Sequence, residues 1–157
     1  MGVLRIFGQH RVLLLASFAA LFFSESASAR LIQIIHTNDL HSHFEHADVY
    51  DPTGRATAGG YAAVKAKIDE IKAEAEAQGI ETLVLDAGDF SEGTQFYRVQ
   101  DGQASWKMMD AMGYDAVAIG THDWLVGADQ LGTSVSQVQP KTPFVGANLM
   151  YSPRLKA

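Results

Sequence analysis

The amino-acid sequence predicts an α/β domain whose strands are mainly parallel and are covered by helices. Four short apolar segments are predicted as strands, and they alternate with three segments whose apolar residues recur at helical spacing. Such alternation requires crossover connections, which produce parallel sheets. Asp and His residues directly follow the first three apolar segments, which places them at one edge of the predicted sheet.

Residues 1–29 have the pattern of a secretory signal peptide. A basic start is followed by an apolar run over residues 12–23, and the segment ends in Ala27-Ser28-Ala29. Small residues at this end suit a signal peptidase, so we expect cleavage after Ala29 and a periplasmic or secreted protein. A membrane anchor is the alternative, but the apolar run is shorter than the roughly 20 residues of a helical span. No stable membrane span is expected later in the chain.

Composition favours a globular protein and excludes several kinds of site. Hydrophobic residues make up 47% of the chain and charged residues 19%, which is an ordinary globular balance. The formal net charge of -6 argues against binding to nucleic acid. Because the chain has no cysteine, disulfides and thiolate zinc sites are excluded. Any metal must therefore be held by Asp, His, Asn or similar ligands.

The first elements follow the predicted signal peptide. Residues 31–36 are almost continuously hydrophobic, which predicts a strand buried on both faces. Residues 37–60 are rich in Asp, His, Gly and Thr and are predicted to form a long loop, a feature that is usually functional. A helix is expected to begin near Gly60 and to end at Gly79. Its apolar residues recur every three or four positions and share one face: Tyr61, Val64, Ile68 and Ile71.

The second half of the chain continues the same alternation. Short apolar runs predict strands at residues 82–85, 116–119 and 144–148. Helices are predicted over about 104–112 and 127–138. The full order is therefore strand and helix in turn, beginning and ending with a strand.

Polar clusters come directly after three of the predicted strands. They are Asn38-Asp39-Leu40-His41 after the first, Asp86 and Asp89 after the second, and Thr121-His122-Asp123 after the third. Because the carboxyl ends of parallel strands point to one edge, three loops would bring Asp and His together. Asp and His suit manganese, zinc or iron, and two such ions could bind a phosphate ester and activate a bridging water. The sequence therefore predicts a metal site.

Four blocks stand in order along the chain: residues 35–43 (IHTNDLHSH), 59–61 (GGY), 85–90 (LDAGDF), and 112–117 (MGYDAV) leading into 120–123 (GTHD). Together they resemble the bacterial 5'-nucleotidase family of the calcineurin-like metallophosphoesterases. The resemblance covers residues 31–148 and implies a partial metallophosphoesterase sandwich. Residues 30–157 would be the N-terminal part of that domain, without its C-terminal part and without the nucleoside-binding domain.

The resemblance also implies roles for individual residues. Asp39 and His41 would ligate the first of two divalent ions (manganese, zinc, iron or cobalt), and Asp89 would bridge both ions. His122 would be the catalytic histidine, which contacts the phosphate and interacts with a nearby carboxylate. Thr121 stands where the family has an asparagine ligand of the second metal. Since a neutral hydroxyl is a poor ligand, weaker binding of that second ion is expected.

Other residues at this edge have simpler interpretations. Asp86 is expected to cap loop amides at the strand end, and Asp123 to shape the following turn. His43 is interpreted as an exposed loop histidine. Phe90 and Trp124 are interpreted as packing residues.

The predicted function is metal-dependent hydrolysis of nucleotides or related phosphate esters. Since the last histidine is His122, the family's later histidine ligands are not in the sequence, and whether the chain is an enzyme stays open. It would otherwise be a non-catalytic remnant that binds metal or phosphate, or one half of a split enzyme completed by a C-terminal chain. A half-domain would also leave an apolar sheet face uncovered, which favours association.

Overall fold

The computed structural model describes residues 29–149 of the chain. The predicted signal peptide lies outside these residues except for its last position, Ala29. The chain divides into two units, Met1–Arg30 and Leu31–Ala157, and all the helices and strands below belong to the second. Within the described range, no helix combines the length and the apolar character needed to cross a membrane.

Strands and helices follow one another largely as predicted. The strands are β1 (Ile32–Thr37), β2 (Ala47–Asp51), β3 (Gly54–Ala58), β4 (Glu81–Asp86), β5 (Ala116–Ala118) and β6 (Phe144–Val145). The α-helices are α1 (Tyr61–Glu76), α2 (Gln95–Arg98), α3 (Gln103–Met112) and α4 (Ala128–Val138). Short 3-10 turns cover Val99–Gly102 and Thr121–Asp123.

Four of these strands form a parallel sheet in the order β1-β4-β5-β6. The pairing of β1 with β4 runs from Ile32 opposite Glu81 to Thr37 opposite Asp86. This confirms the prediction of an α/β fold with mainly parallel strands and accompanying helices. Because β1, β4 and β5 point the same way, the loops that follow them lie at one edge of the sheet.

The prediction of a long loop over residues 37–60 is wrong for the second half of this segment. β2 and β3 form an antiparallel hairpin there, with Ala47 opposite Ala58 and Asp51 opposite Gly54. Every residue of β3 is exposed. Apolar periodicity reports burial, so a hairpin with no buried face leaves no such signal in the sequence. The last strand was also predicted too long, since β6 ends at Val145.

The core packs against one face of the parallel sheet. Val84 of β4 and Val117 of β5 are fully buried beneath residues of α1 and α3. Phe90 is buried as predicted, and its ring meets that of Trp106 edge to face at a centroid distance of 5.0 Å. Trp124, by contrast, is 38% exposed and is not part of this core.

The opposite face of the sheet carries an exposed apolar patch, formed by Ile32, Ile34 and Leu83. These side chains are 55%, 61% and 38% exposed. The prediction that the first strand is buried on both faces is therefore wrong, since every residue of β1 is exposed or only partly buried. Ile34 of β1 is paired with Leu83 of β4, so the two lie side by side on one face. Exposed apolar patches promote association between molecules.

Replacing Ile32 and Ile34 together by threonine is expected to reduce self-association of the protein. Threonine keeps the β-branched shape that suits a strand but lowers the apolar area exposed to water. Sedimentation velocity over a range of concentrations would show smaller species for the double variant. Val99→Thr, at a 52% exposed position outside the patch, is the matched control. A monomeric unmodified chain at all concentrations would contradict this expectation.

Candidate metal centre

Backbone hydrogen bonds join the loop after β1 to the loop after β4. The amide of Asp39 donates to the carbonyl of Gly88, and the amide of His41 donates to the carbonyl of Asp89, both at 3.0 Å. These two bonds run alongside each other at the carboxyl edge of the sheet. The first two polar clusters predicted from the sequence are therefore held side by side.

Asp123 fastens the loop after β5 to the loop after β4. Its carboxylate is buried and accepts four backbone N–H bonds. Oδ1 accepts from Phe90 and Ser91, both at 2.9 Å. Oδ2 accepts from Asp89 at 3.0 Å and from Gly120 at 2.8 Å. Burial raises the pKa of Asp123, while these bonds oppose that rise because they stabilise the charged form. Asp123 thus positions two loops, a wider role than the turn that the sequence predicted.

Asp86 has the capping role that was expected of it. Its Oδ1 accepts the Gly88 amide at 2.9 Å, and its Oδ2 accepts the Thr37 hydroxyl at 2.6 Å. The side chain is buried, which raises the pKa of its carboxyl. Since both oxygens are engaged inside the protein, Asp86 supports the loop.

Asp39, His41 and Asp89 converge as a set that could hold a metal ion. One ligand atom from each lies within 4.8 Å of the others, and His41 Nε2 is 3.7 Å from Asp39 Oδ1. His41 Nδ1 lies 2.5 Å from the carbonyl oxygen of Glu92. Because a carbonyl oxygen can only accept, Nδ1 carries the proton and Nε2 keeps its lone pair. Two carboxylates and one such imidazole fit a divalent ion of the manganese, iron or zinc type.

The backbone at these three residues is strained. Asp39, His41 and Asp89 have φ angles of 54°, 44° and 58°, in the left-handed region that non-glycine residues rarely adopt. Such conformations cost free energy and persist where surrounding contacts enforce them, often at functional sites. Here the loop-to-loop hydrogen bonds provide those contacts.

His122 lies beside this set. Its ring centroid is 5.0 Å from that of His41, with the two rings nearly perpendicular at 79°. Its backbone amide donates to Asp89 Oδ1 at 2.9 Å, which fixes the turn against the carboxylate. Gly120 makes this approach possible, because a Cβ at Gly120 would collide with the same carboxylate. The histidine predicted as catalytic is thus adjacent to the predicted metal ligands.

Glu92 is the site residue that was not located from the sequence. Its Oε2 lies 2.8 Å from His122 Nδ1, and the resemblance implied a carboxylate near that histidine. Glu92, His41 and His122 also have ligand atoms within 4.8 Å of one another. The available signal was its place three residues after Asp89 on the same loop.

Two further residues that the sequence singled out, Thr121 and His43, are exposed. Thr121 begins the 3-10 turn that carries His122, and it is exposed. His43 is also exposed, as predicted, and its Nδ1 donates to the carbonyl of Leu40 at 3.2 Å. Within residues 29–149, two clusters of His, Asp and Glu residues could hold a metal ion: Asp39, His41 and Asp89, and His41, Glu92 and His122. His41 belongs to both clusters.

Comparison with known proteins identifies relatives of the chain by sequence. No protein-family profile matches the chain. It is 33% identical over 137 residues to "Protein UshA" of Escherichia coli strain K12, which covers 86% of this chain and 23% of the relative. It is 36% identical over 141 residues to the 5'-nucleotidase of Mus musculus, covering 87% of this chain and 23% of the relative.

A solved structure matches as well. The 5'-nucleotidase precursor from Thermus thermophilus superposes with a TM-score of 0.66 at 30% sequence identity, covering 78% of this chain and 24% of that structure. The chain therefore spans about a quarter of the length of the proteins it matches.

Proposed function

Since the chain is related to the N-terminal portion of the 5'-nucleotidases, we propose that it carries metal-dependent phosphoester hydrolysis of nucleotides or related phosphate esters. The observation that supports this is the convergence of Asp39, His41 and Asp89 at the sheet edge with His122 beside them. Residues 30–157 would correspond to the N-terminal part of a metallophosphoesterase domain. The rest of that domain and a nucleoside-binding domain would come from further polypeptide or from a second chain.

The proposal assigns ligands to two divalent ions. Asp39, His41 and Asp89 would hold the first, and Asp89 would bridge to the second, for which the hydroxyl of Thr121 is a weak ligand. Manganese, zinc, iron or cobalt would supply a Lewis acid for the phosphoryl oxygens and would lower the pKa of a bound water. The hydrogen bond from His41 Nδ1 to the Glu92 carbonyl supports this assignment, because it leaves His41 Nε2 free as a ligand atom.

His122 would act on the phosphate itself. With Nδ1 bonded to the Glu92 carboxylate, Nε2 is left to contact the phosphoester, and in the protonated ring it would donate a hydrogen bond or a proton to a phosphoester oxygen. The side chain of His122 is 40% exposed, so a small ester could reach it.

Export is part of the same proposal. The basic, apolar and small-residue segments of residues 1–29 support cleavage near Ala29 and a periplasmic or secreted location. Phosphate esters outside the cytoplasm would then be the substrates.

Hydrolysis of p-nitrophenyl phosphate in the presence of Mn²⁺ tests the proposal. We expect the purified chain to hydrolyse this ester faster than Mn²⁺ alone, and His122→Ala to lower kcat by about 10²-fold or more, the usual size of a lost general acid. His43→Ala, which removes an exposed histidine outside the site, should leave kcat unchanged.

A second candidate is a metal- or phosphate-binding protein without catalysis. The exposed Thr121 hydroxyl favours it, because the ligand set of a second ion would be poor. Tight Mn²⁺ binding with hydrolysis no faster than the Mn²⁺ blank would contradict the enzyme and support this candidate.

A further inference from the structure

We infer that Glu92 is a positioning residue that fixes the tautomers of both histidines at the site, His41 through its backbone carbonyl and His122 through its carboxylate. This inference deepens the proposed function and rests on it for its consequences in catalysis. The tautomers themselves can be measured without any hydrolysis.

In both contacts, the Nδ1 atom of a histidine ring lies within hydrogen-bond distance of an oxygen of Glu92. His41 Nδ1 lies 2.5 Å from the Glu92 carbonyl oxygen, and His122 Nδ1 lies 2.8 Å from Glu92 Oε2. A carbonyl oxygen and an ionised carboxylate both only accept hydrogen bonds. Each Nδ1 must therefore carry the proton, and in the neutral ring each Nε2 carries the lone pair.

The same residue thereby presents two Nε2 atoms for chemistry. For a metal-binding histidine, a hydrogen bond from the other ring nitrogen sets the ring orientation and raises the basicity of the ligand atom. For His122, the carboxylate contact would hold the ring toward the ester. The ring centroids are 5.0 Å apart, so the two histidines lie next to each other at the site.

The segment around Glu92 is held from both sides. Before it, Ser91 donates its amide to Asp123 and its hydroxyl to the carbonyl of His122 at 3.0 Å. After it, Gly93 lies so close to His41 that a Cβ there would be 2.5 Å from the His41 carbonyl oxygen. The amide of Thr94 then donates to the Ser42 hydroxyl at 3.0 Å. The Glu92 carbonyl therefore has a fixed place, independent of its own side chain.

His41 contacts the backbone of Glu92, whereas His122 contacts its side chain. A substitution of Glu92 should therefore change the contact of His122 only, and His41 serves as the internal control. Glu92→Ala removes the acceptor of His122 but keeps the acceptor of His41. Glu92→Gln keeps an oxygen that can accept from His122 Nδ1 while it removes the charge. Glu92 is only half-buried, so both variants should fold.

Long-range ¹H–¹⁵N NMR spectra of the full chain before metal is added would report the tautomer of each neutral imidazole. We expect Nδ1–H for His41 and His122 in the unmodified chain. Glu92→Ala should move His122 toward the Nε2–H tautomer and leave His41 unchanged, and Glu92→Gln should retain Nδ1–H at His122. Glu76→Ala, an exposed glutamate at the end of α1, should change neither. An Nε2–H tautomer of His122 in the unmodified chain, or no change in Glu92→Ala, would overturn the inference.

Mn²⁺ titration separates positioning from direct ligation. Because His41 is held by the backbone, Glu92→Ala should leave the Mn²⁺ dissociation constant within about 3-fold, whereas Asp39→Ala should raise it strongly.

Where the chain hydrolyses p-nitrophenyl phosphate, Glu92→Ala should lower kcat about 10- to 100-fold, with KM little changed and with partial recovery in Glu92→Gln. An equal loss of Mn²⁺ affinity in Glu92→Ala and Asp39→Ala would make Glu92 a ligand and overturn the inference. If the chain shows no hydrolysis, only the proposed function is contradicted, because the tautomer measurement still tests the positioning role of Glu92.

Discussion

Replacing Asp123 by alanine is expected to remove most or all of the stability of the fold. The carboxylate is 7% exposed and accepts the backbone amides of Asp89, Phe90, Ser91 and Gly120. Each buried donor left without a partner costs about 1–3 kcal/mol. Two of the four donors, at Phe90 and Ser91, are buried and the other two are partly buried, so their combined loss is a large share of the roughly 5–15 kcal/mol that stabilises a typical domain. Urea unfolding followed by circular dichroism should show no folded baseline, or a midpoint far below that of the unmodified chain.

Asp110→Ala is the matched control for this experiment. Asp110 Oδ1 also accepts two backbone amides, from Lys141 and Thr142, both at 2.7 Å, but this residue is only partly buried. Water can replace it there, so we expect a much smaller loss of stability. The Thr142 amide lowers the pKa of Asp110, so its contribution is present above the ordinary carboxyl pKa and is lost as pH falls through the lowered value. Equal midpoints for Asp123→Ala and the unmodified chain would contradict the role given to Asp123.

Replacing Asp89 by asparagine is expected to abolish metal binding while the fold survives. Asparagine tolerates the left-handed φ of 58° and keeps an oxygen for the amide of His122, but it removes the charge that a divalent ion needs. Substitutions that only support metal ligands cost about 10- to 100-fold in affinity, so loss of a ligand should cost about 100-fold or more. Isothermal titration with Mn²⁺ measures this, and hydrolysis should fall to the blank.

The matched control changes the same residue type on the helix surface. Asp69→Asn removes an equal charge from α1, where Asp69 pairs with Lys65 in solvent, and it should leave Mn²⁺ affinity unchanged. Equal urea midpoints for Asp89→Asn and the unmodified chain would show that the fold is intact. Unchanged Mn²⁺ affinity in Asp89→Asn would contradict its place in the ligand set.

The strands of the parallel sheet were predictable because each is a short apolar run between polar segments. The run at residues 31–36 became β1 (Ile32–Thr37), and the run at 82–85 became β4 (Glu81–Asp86). β3 (Gly54–Ala58) has no buried residue, and it is held to β2 by backbone pairing and by an exposed ion pair between Arg55 and Asp48. Apolar periodicity could therefore not indicate this strand.

In the candidate site, too, some residues could be brought together from the sequence and other contacts could not be predicted. Asp39, His41 and Asp89 follow strands of one sheet, so topology alone was sufficient to bring them together, and their metal role stays a prediction. The contact of Glu92 with His122 joins residues 30 positions apart on different loops. Asp123 likewise meets amides more than 30 positions away. Such contacts depend on how the loops pack, which a single sequence does not report.

Anomalous diffraction from crystals of the chain grown with Mn²⁺ would test the metal centre most directly. We predict an anomalous peak within ligand distance of Asp39, His41 and Asp89, at the carboxyl edge of the parallel sheet. No peak there at millimolar Mn²⁺, with these three side chains well ordered, would contradict the proposed metal centre.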